Sequence, residues 1–200
     1  MAYGLDRALR FANHLVIIMF ILELVDTFTI VDMDQFGIVP LSPRGLVGIL
    51  FSPLLHGGFA HFIFNLIPLW VNTVLLFGER RFRPEWTLAV IWIGSGLGTW
   101  LLGGLRGPNT VHIGASSLVF GLVSYLALMG IFLGRLVTIL ISAVVIFCFG
   151  GIMAGIFPNL NMPQVSWEAH LSGALVGAFA AIYNGFFHKS KRRSDFPLLL

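Results

Sequence analysis

Apolar residues in this chain gather into long blocks instead of alternating with polar ones at strand or surface-helix spacing. Six blocks, at 11–31, 59–78, 86–105, 113–133, 136–157 and 167–187, approach or exceed the roughly 20 residues a helix needs to cross a hydrocarbon core about 30 Å thick. The pattern predicts an all-α membrane protein, a bundle of six transmembrane helices. A seventh run, Leu46 to Leu55, is too short to span and is bracketed by Pro43 and Pro53, so it predicts an interfacial or re-entrant element. Arg7 and Arg10 precede the first block as they would a secretory signal. Glu23 and Asp26 interrupt that block and no small-residue cleavage site follows, so it predicts a retained helix. The organisation expected is an N-tail at 1–10, a six-helix domain at 11–187 and a basic C-tail at 188–200, without internal repeats.

Composition strengthens the membrane reading. Hydrophobic residues make up 57% of the chain and charged residues 10%, against about 25% charged in a soluble domain. Too little polar surface exists to cover a water-exposed globule, so lipid must solvate the outside. The net charge is only +3, and the basic residues sit in short gaps between apolar runs, which argues against nucleic acid as a partner. Cys148 is the single cysteine, which excludes a disulfide framework and a cysteine-based metal cluster.

The gaps carry an orientation. Arg7, Arg10, Arg80, Arg81, Arg83, Arg135, Lys189, Lys191, Arg192 and Arg193 fall on one side; Arg44 and Arg106 fall on the other. Positive residues are retained on the cytoplasmic side, so both termini are expected inside. The second, fourth and sixth spans then begin on the extracytoplasmic side.

That orientation gives the polar residues meaning. The second span opens with His61 and Asn65, four apart and so on one helical face. The fourth opens with Gly114-Ala115-Ser116-Ser117 and the sixth with Trp167-Glu168-Ala169-His170. His61, Asn65, Ser116 and His170 are thus expected at one depth, and polar groups in a bilayer are costly enough to suggest function. Their chemistry suits nucleophilic acyl transfer: a serine needs a base to take its proton, and the resulting oxyanion needs preorganised donors. Glu168, two residues before His170, should face away from it, which predicts a Ser–His dyad without an acid. Gly173 and Gly177 form a G-x-x-x-G that lets another helix approach closely, and Ser116, Ser117, Gly121 and Ser124 give the fourth span a matching small face. Such packing would bring the Ser116 hydroxyl within hydrogen-bond reach of His170, with Phe120 stacked against the ring.

Taken singly, each residue has a plainer reading. Serine in a membrane helix bonds its own preceding turn, histidine packs at helix ends, and asparagine joins helices. His112, His14 and His188 read as helix-end or solvent-exposed residues, with His112 near the site entrance, and the five tryptophans as interface anchors or packing. Glu23 and Asp26 share one face of the first span and suggest an ion or proton pathway. A proton-coupled transporter is therefore an alternative, although the chain shows no inverted repeat.

The ordered motifs resemble those of the rhomboid intramembrane serine proteases. His56-Gly57-Gly58-Phe59-Ala60-His61-Phe62-Ile63-Phe64-Asn65 is similar to that family's second-helix motif, Gly114-Ala115-Ser116-Ser117 to its nucleophile motif, and Ala169-His170-Leu171-Ser172-Gly173 to its sixth-helix motif. The resemblance implies a rhomboid-like six-helix bundle with a membrane-embedded loop at about 32–58. It also implies hydrolysis of peptide bonds in or near transmembrane segments of protein substrates, without a cofactor or metal. Ser116 would be nucleophile and His170 general base. His61, Asn65 and the Ser116 backbone N–H would form the oxyanion hole, Gly114 would allow close approach, and His56 would be structural. Two positions depart from the family pattern: Ser117 stands where glycine is frequent, and Phe120 where tyrosine is frequent. The first loop lacks a Trp-Arg pair. A non-catalytic, client-binding relative of the family would not need both Ser116 and His170.

Overall fold

The computed structural model describes residues 2–107, 110–162 and 164–195. Its elements in chain order are α1 (Ala2–Phe28), α2 (Gly48–Phe51), α3 (Phe59–Gly78), α4 (Pro84–Leu102), α5 (Ser116–Leu133), α6 (Leu136–Phe149) and α7 (Trp167–Asp195). Short 3-10 turns fill several connections, the longest being Gly150–Ile156, which continues α6. Six helices, all but the four-residue α2, are long and apolar enough to cross a membrane. The protein is a multi-pass membrane protein. Among the described residues there is no strand, and extended pairing is confined to an isolated bridge between Ile38 and His112.

Helix boundaries differ from the apolar blocks in ways local chemistry explains. Helix α1 begins at Ala2, not near residue 11: no proline interrupts its first turns and Arg10 bonds Asp6 one turn back. Helix α5 begins at Ser116, later than 113, because Gly114 adopts φ +110°, which no α-helix continues through. At the other end α7 runs to Asp195, past 187, since no proline or glycine stands between 188 and 195.

Helix α5 forms the centre and packs on α3, α4, α6 and α7, most extensively on α7. Its Leu118, Leu122, Tyr125, Leu126 and Met129 are fully buried. Outward faces are instead apolar: Phe64 on α3, Phe147 on α6 and Phe186 on α7 are largely exposed, as side chains solvated by lipid would be.

The segment between α1 and α3 is folded against the bundle, not looped into solvent. Two α4 tryptophans fasten it: Trp92 Nε1 donates to the Leu50 carbonyl at 3.1 Å and Trp100 Nε1 to the Ser42 carbonyl at 2.9 Å. An indole N–H in an apolar setting needs an acceptor, and here the acceptors are backbone carbonyls of that segment, the one of Ser42 also accepting from the Gly45 N–H at 2.9 Å.

Candidate active site

The site is assembled from the start of α5, the start of α3, the start of α7 and the turn after α6. Gly114 precedes α5 in the left-handed region, its amide donating to the Ser52 carbonyl at 2.9 Å. A methyl added there would lie 2.6 Å from His61 Cε1 and 2.7 Å from Nε2. Glycine is therefore required twice, for its φ and because the His61 ring lies against this backbone. Two residues later Ser116 is the first residue of α5. The opening amides of a helix have no intrahelical acceptor and carry the positive end of its dipole, so this position favours developing negative charge.

His56 supports the same turn. Its Nε2 accepts from the Ala115 N–H at 3.4 Å, and its ring meets His61 edge-on, with centroids 5.1 Å apart. Burial, then the nearby His61, pushes the His56 ring down to about 3, so it stays a neutral acceptor near neutral pH. Asn65 is buried one turn beyond His61, and its amide donates to the His61 carbonyl at 3.0 Å. One N–H of that amide remains available.

On α7, His170 Nδ1 lies 3.0 Å from the Gly155 carbonyl oxygen. A carbonyl only accepts, so the Nδ1 carries the proton and the Nε2 keeps its lone pair. Phe120, one turn beyond Ser116, stacks on this ring with centroids 4.1 Å apart and planes 9° from parallel. The helices touch through backbone. A methyl on Gly173 would lie 2.0 Å from the Ser117 carbonyl oxygen, and one on Gly177 2.0 Å from that of Gly121. The G-x-x-x-G of α7 thus seats on the small face of α5, one turn past His170 and beside Ser116.

Most of the residues singled out in the sequence converge here, with two corrections. The Ser116 hydroxyl makes no hydrogen bond among the described residues, so the expected bond to His170 is not closed in this state. His112, expected at a helix end or in water, is buried and paired with Ile38 through both backbone groups. Glu168, which was expected to face away from His170, takes a donor outside the dyad. It is fully buried and accepts from the Ser166 hydroxyl at 3.3 Å; that hydroxyl lies 2.7 Å from His112 Nδ1, and Thr110 Oγ1 lies 3.2 Å from His112 Nε2. Gly155 and Ser166 were not foreseen. A backbone carbonyl that orients a ring leaves no mark in sequence, whereas Ser166 three residues before Ala169 is a recognisable N-terminal cap whose hydroxyl oxygen accepts from the Ala169 N–H at 3.3 Å. Glu23 and Asp26 take local donors, Thr27 Oγ1 at 3.3 Å and the Met33 N–H at 2.7 Å.

A bundle of six apolar helices, with a serine at the mouth of the central helix and a tautomer-fixed histidine on its neighbour, defines a class of multi-pass membrane fold. Residues 43–185 match the rhomboid domain. The chain belongs to the rhomboid family. It is 43% identical over 170 residues to an uncharacterised Mycobacterium tuberculosis protein, covering 83% of this chain and 70% of that one. An uncharacterised Mycobacterium leprae protein is 39% identical over 168 residues, 82% and 66% of the respective chains. A Bacillus subtilis candidate rhomboid protease, YdcA, is 33% identical over 135 residues, 63% and 60% of the respective chains.

Proposed function

We propose that this protein is an intramembrane serine endopeptidase that cleaves peptide bonds in or near transmembrane segments of membrane-protein substrates. The observation that carries the reading is the His170 ring: its tautomer is set by Gly155 and its plane by Phe120, one turn from Ser116. The Ser116 Oγ attacks the scissile carbonyl carbon while His170 Nε2 takes its proton. The tetrahedral oxyanion is met by the Ser116 backbone N–H, the His61 ring and the Asn65 amide. Collapse expels the amine, which takes the proton from His170, and a water then repeats the sequence on the acyl-enzyme. The missing Ser116–His170 bond is compatible with this scheme, since catalytic hydrogen bonds often tighten only when substrate binds. Gly155 orients His170 where a triad would use an acid, so the dyad needs no carboxylate.

Both termini lie in the cytoplasm and the site opens toward the extracytoplasmic half of the cell membrane, on the distribution of basic residues. The partners are the lipid bilayer and transmembrane protein substrates. Labelling with a fluorophosphonate tests the nucleophile. Mass spectrometry should place the adduct on Ser116 and find none on Ser117 or in Ser116→Ala; an adduct that survives Ser116→Ala would contradict the assignment.

A further inference from the structure

At the end of the bundle opposite Ser116 the structure holds a cavity of about 420 Å³ that the proposed chemistry leaves unused. Arg7, Arg80, Arg83, Glu85, Trp86 and Phe77 are among its lining residues. Glu85 is met by Arg7. Among the described residues, Arg80 and Arg83 have no carboxylate within ion-pair distance, so the lining carries three cationic groups against one carboxylate.

Arg83 is held in place rather than left to wander. Its backbone sits in the left-handed region at φ 49° and caps α4, a strained conformation for a non-glycine residue. Its Nη1 donates to Asn184 Oδ1 at 3.1 Å, and its guanidinium lies over the Trp86 and Phe187 rings at 4.7 and 4.4 Å. Asn184 is fully buried and anchored in turn: its amide nitrogen donates to Tyr125 Oη at 2.7 Å, while Tyr125 Oη donates to the Phe82 carbonyl at 2.6 Å. Two aromatic plates and a buried polar network therefore aim a fixed cation. Pro84, Glu85 and Trp86, the first turn of α4, also line the cavity, and no side chain caps that helix start. Its free amides add to the positive field.

A second cavity of about 450 Å³ shares Phe77 and Glu85 with the first and is otherwise lined by apolar groups, including Phe11, Leu88, Ala89, Trp92 and Ile93. From Glu85 to Ile93 the groove follows α4 for about 12 Å at the helical rise. An anion-binding head joined to an apolar groove along a membrane helix matches one chemistry. We propose that this is a binding site for an anionic phospholipid, its phosphate among Arg7, Arg80, Arg83 and the start of α4, and one acyl chain in the groove between α1 and α4. A soluble phosphate ester shares the headgroup chemistry but has nothing to fill the groove. Basic pockets at the cytoplasmic ends of membrane helices are suited to such headgroups, and the basic-residue distribution places this end inside.

Native mass spectrometry of the purified full-length protein tests the site, using phosphatidylglycerol, phosphatidylcholine and glycerol phosphate as probes. Phosphatidylglycerol should be retained over phosphatidylcholine, with affinity about fivefold lower in Arg80→Gln, the loss expected for one cation at a headgroup. Ala89→Phe, which fills the groove, should weaken phosphatidylglycerol to a similar degree and leave any glycerol phosphate binding unchanged. Arg81→Gln, outside the cavity and paired with Glu79, should match the native protein. Equal retention of both lipids, or native-like retention in both Arg80→Gln and Ala89→Phe, would overturn the site. Glycerol phosphate binding as tightly as the lipid would overturn the phospholipid as its source. None of these readouts involves proteolysis, so they stand apart from the dyad.

Discussion

His170, the proposed general base, illustrates how much of a side chain's behaviour is set by atoms that a motif does not record. Its Nδ1 proton is committed to a backbone carbonyl and its ring is clamped by Phe120, so a single flat surface substitutes for much of what a buried acid does elsewhere. Stacking needs the ring and not a phenol hydroxyl. Phe120→Tyr should therefore retain activity within about twofold, while Phe120→Ala, which frees the imidazole to rotate, should lower kcat by about tenfold to a hundredfold with little change in KM. Steady-state kinetics on one reporter peptide distinguishes the two.

His56 acts at the same scale through its protonation state. Its ring falls from the ordinary 6.5 to about 3 in the fold, so the folded protein resists a proton that the unfolded chain accepts. The stability this group contributes is complete above about pH 6.5 and is lost progressively as pH falls toward 3. Thermal unfolding in detergent between pH 7 and 4 should therefore show a steeper loss for the native protein than for His56→Asn, whose amide oxygen can also accept from the Ala115 N–H without titrating. Parallel slopes would mean that His56 is not the group responsible.

At the scale of elements, function depends on how closely α5 and α7 approach. The chain announces this interface openly, because Gly173, Gly177, Gly121 and Ser117 are small residues at matching spacings, and the structure puts a carbonyl where Gly173 and Gly177 would each gain a methyl. Gly177→Val should destabilise the fold by about 2–4 kcal/mol and reduce activity in proportion to the unfolded fraction, as read by unfolding midpoints beside activity. The reach of helices α1 and α7 was less legible, since a hydropathy pattern marks where a helix enters lipid and not where its hydrogen bonds end. The same limit hid the role of Trp92 and Trp100. Their acceptors are carbonyls 42 and 58 residues away in sequence, and no local pattern links an indole to a distant backbone group. His112 was misread for a related reason: a buried chain of hydroxyl, imidazole and carboxylate assembles from two segments, before α5 and at the start of α7, that converge only in the folded molecule.

Seen whole, the molecule divides its polar chemistry between two ends of an apolar bundle. One end holds Ser116, His170, His61 and Asn65; the other holds the arginine-lined cavity and the Tyr125–Asn184 network. The low overall charge made the bundle legible, and the sequence positions of the few charged residues carry the orientation proposed for it. That orientation is testable without activity. In a Cys148→Ala background, a cysteine replacing exposed Leu160 should react with a membrane-impermeant maleimide in intact cells, and one replacing exposed Arg135 should react only after permeabilisation.

The central claim is that one hydroxyl and one imidazole suffice for peptide hydrolysis inside the membrane. Its most direct test is cleavage of a transmembrane-segment reporter in reconstituted vesicles by the native protein, Ser116→Ala and His170→Ala, with folding of each variant verified by its unfolding midpoint. The native protein should cleave the reporter, and each variant should lose at least about a thousandfold. Cleavage that persists in folded Ser116→Ala would contradict the claim.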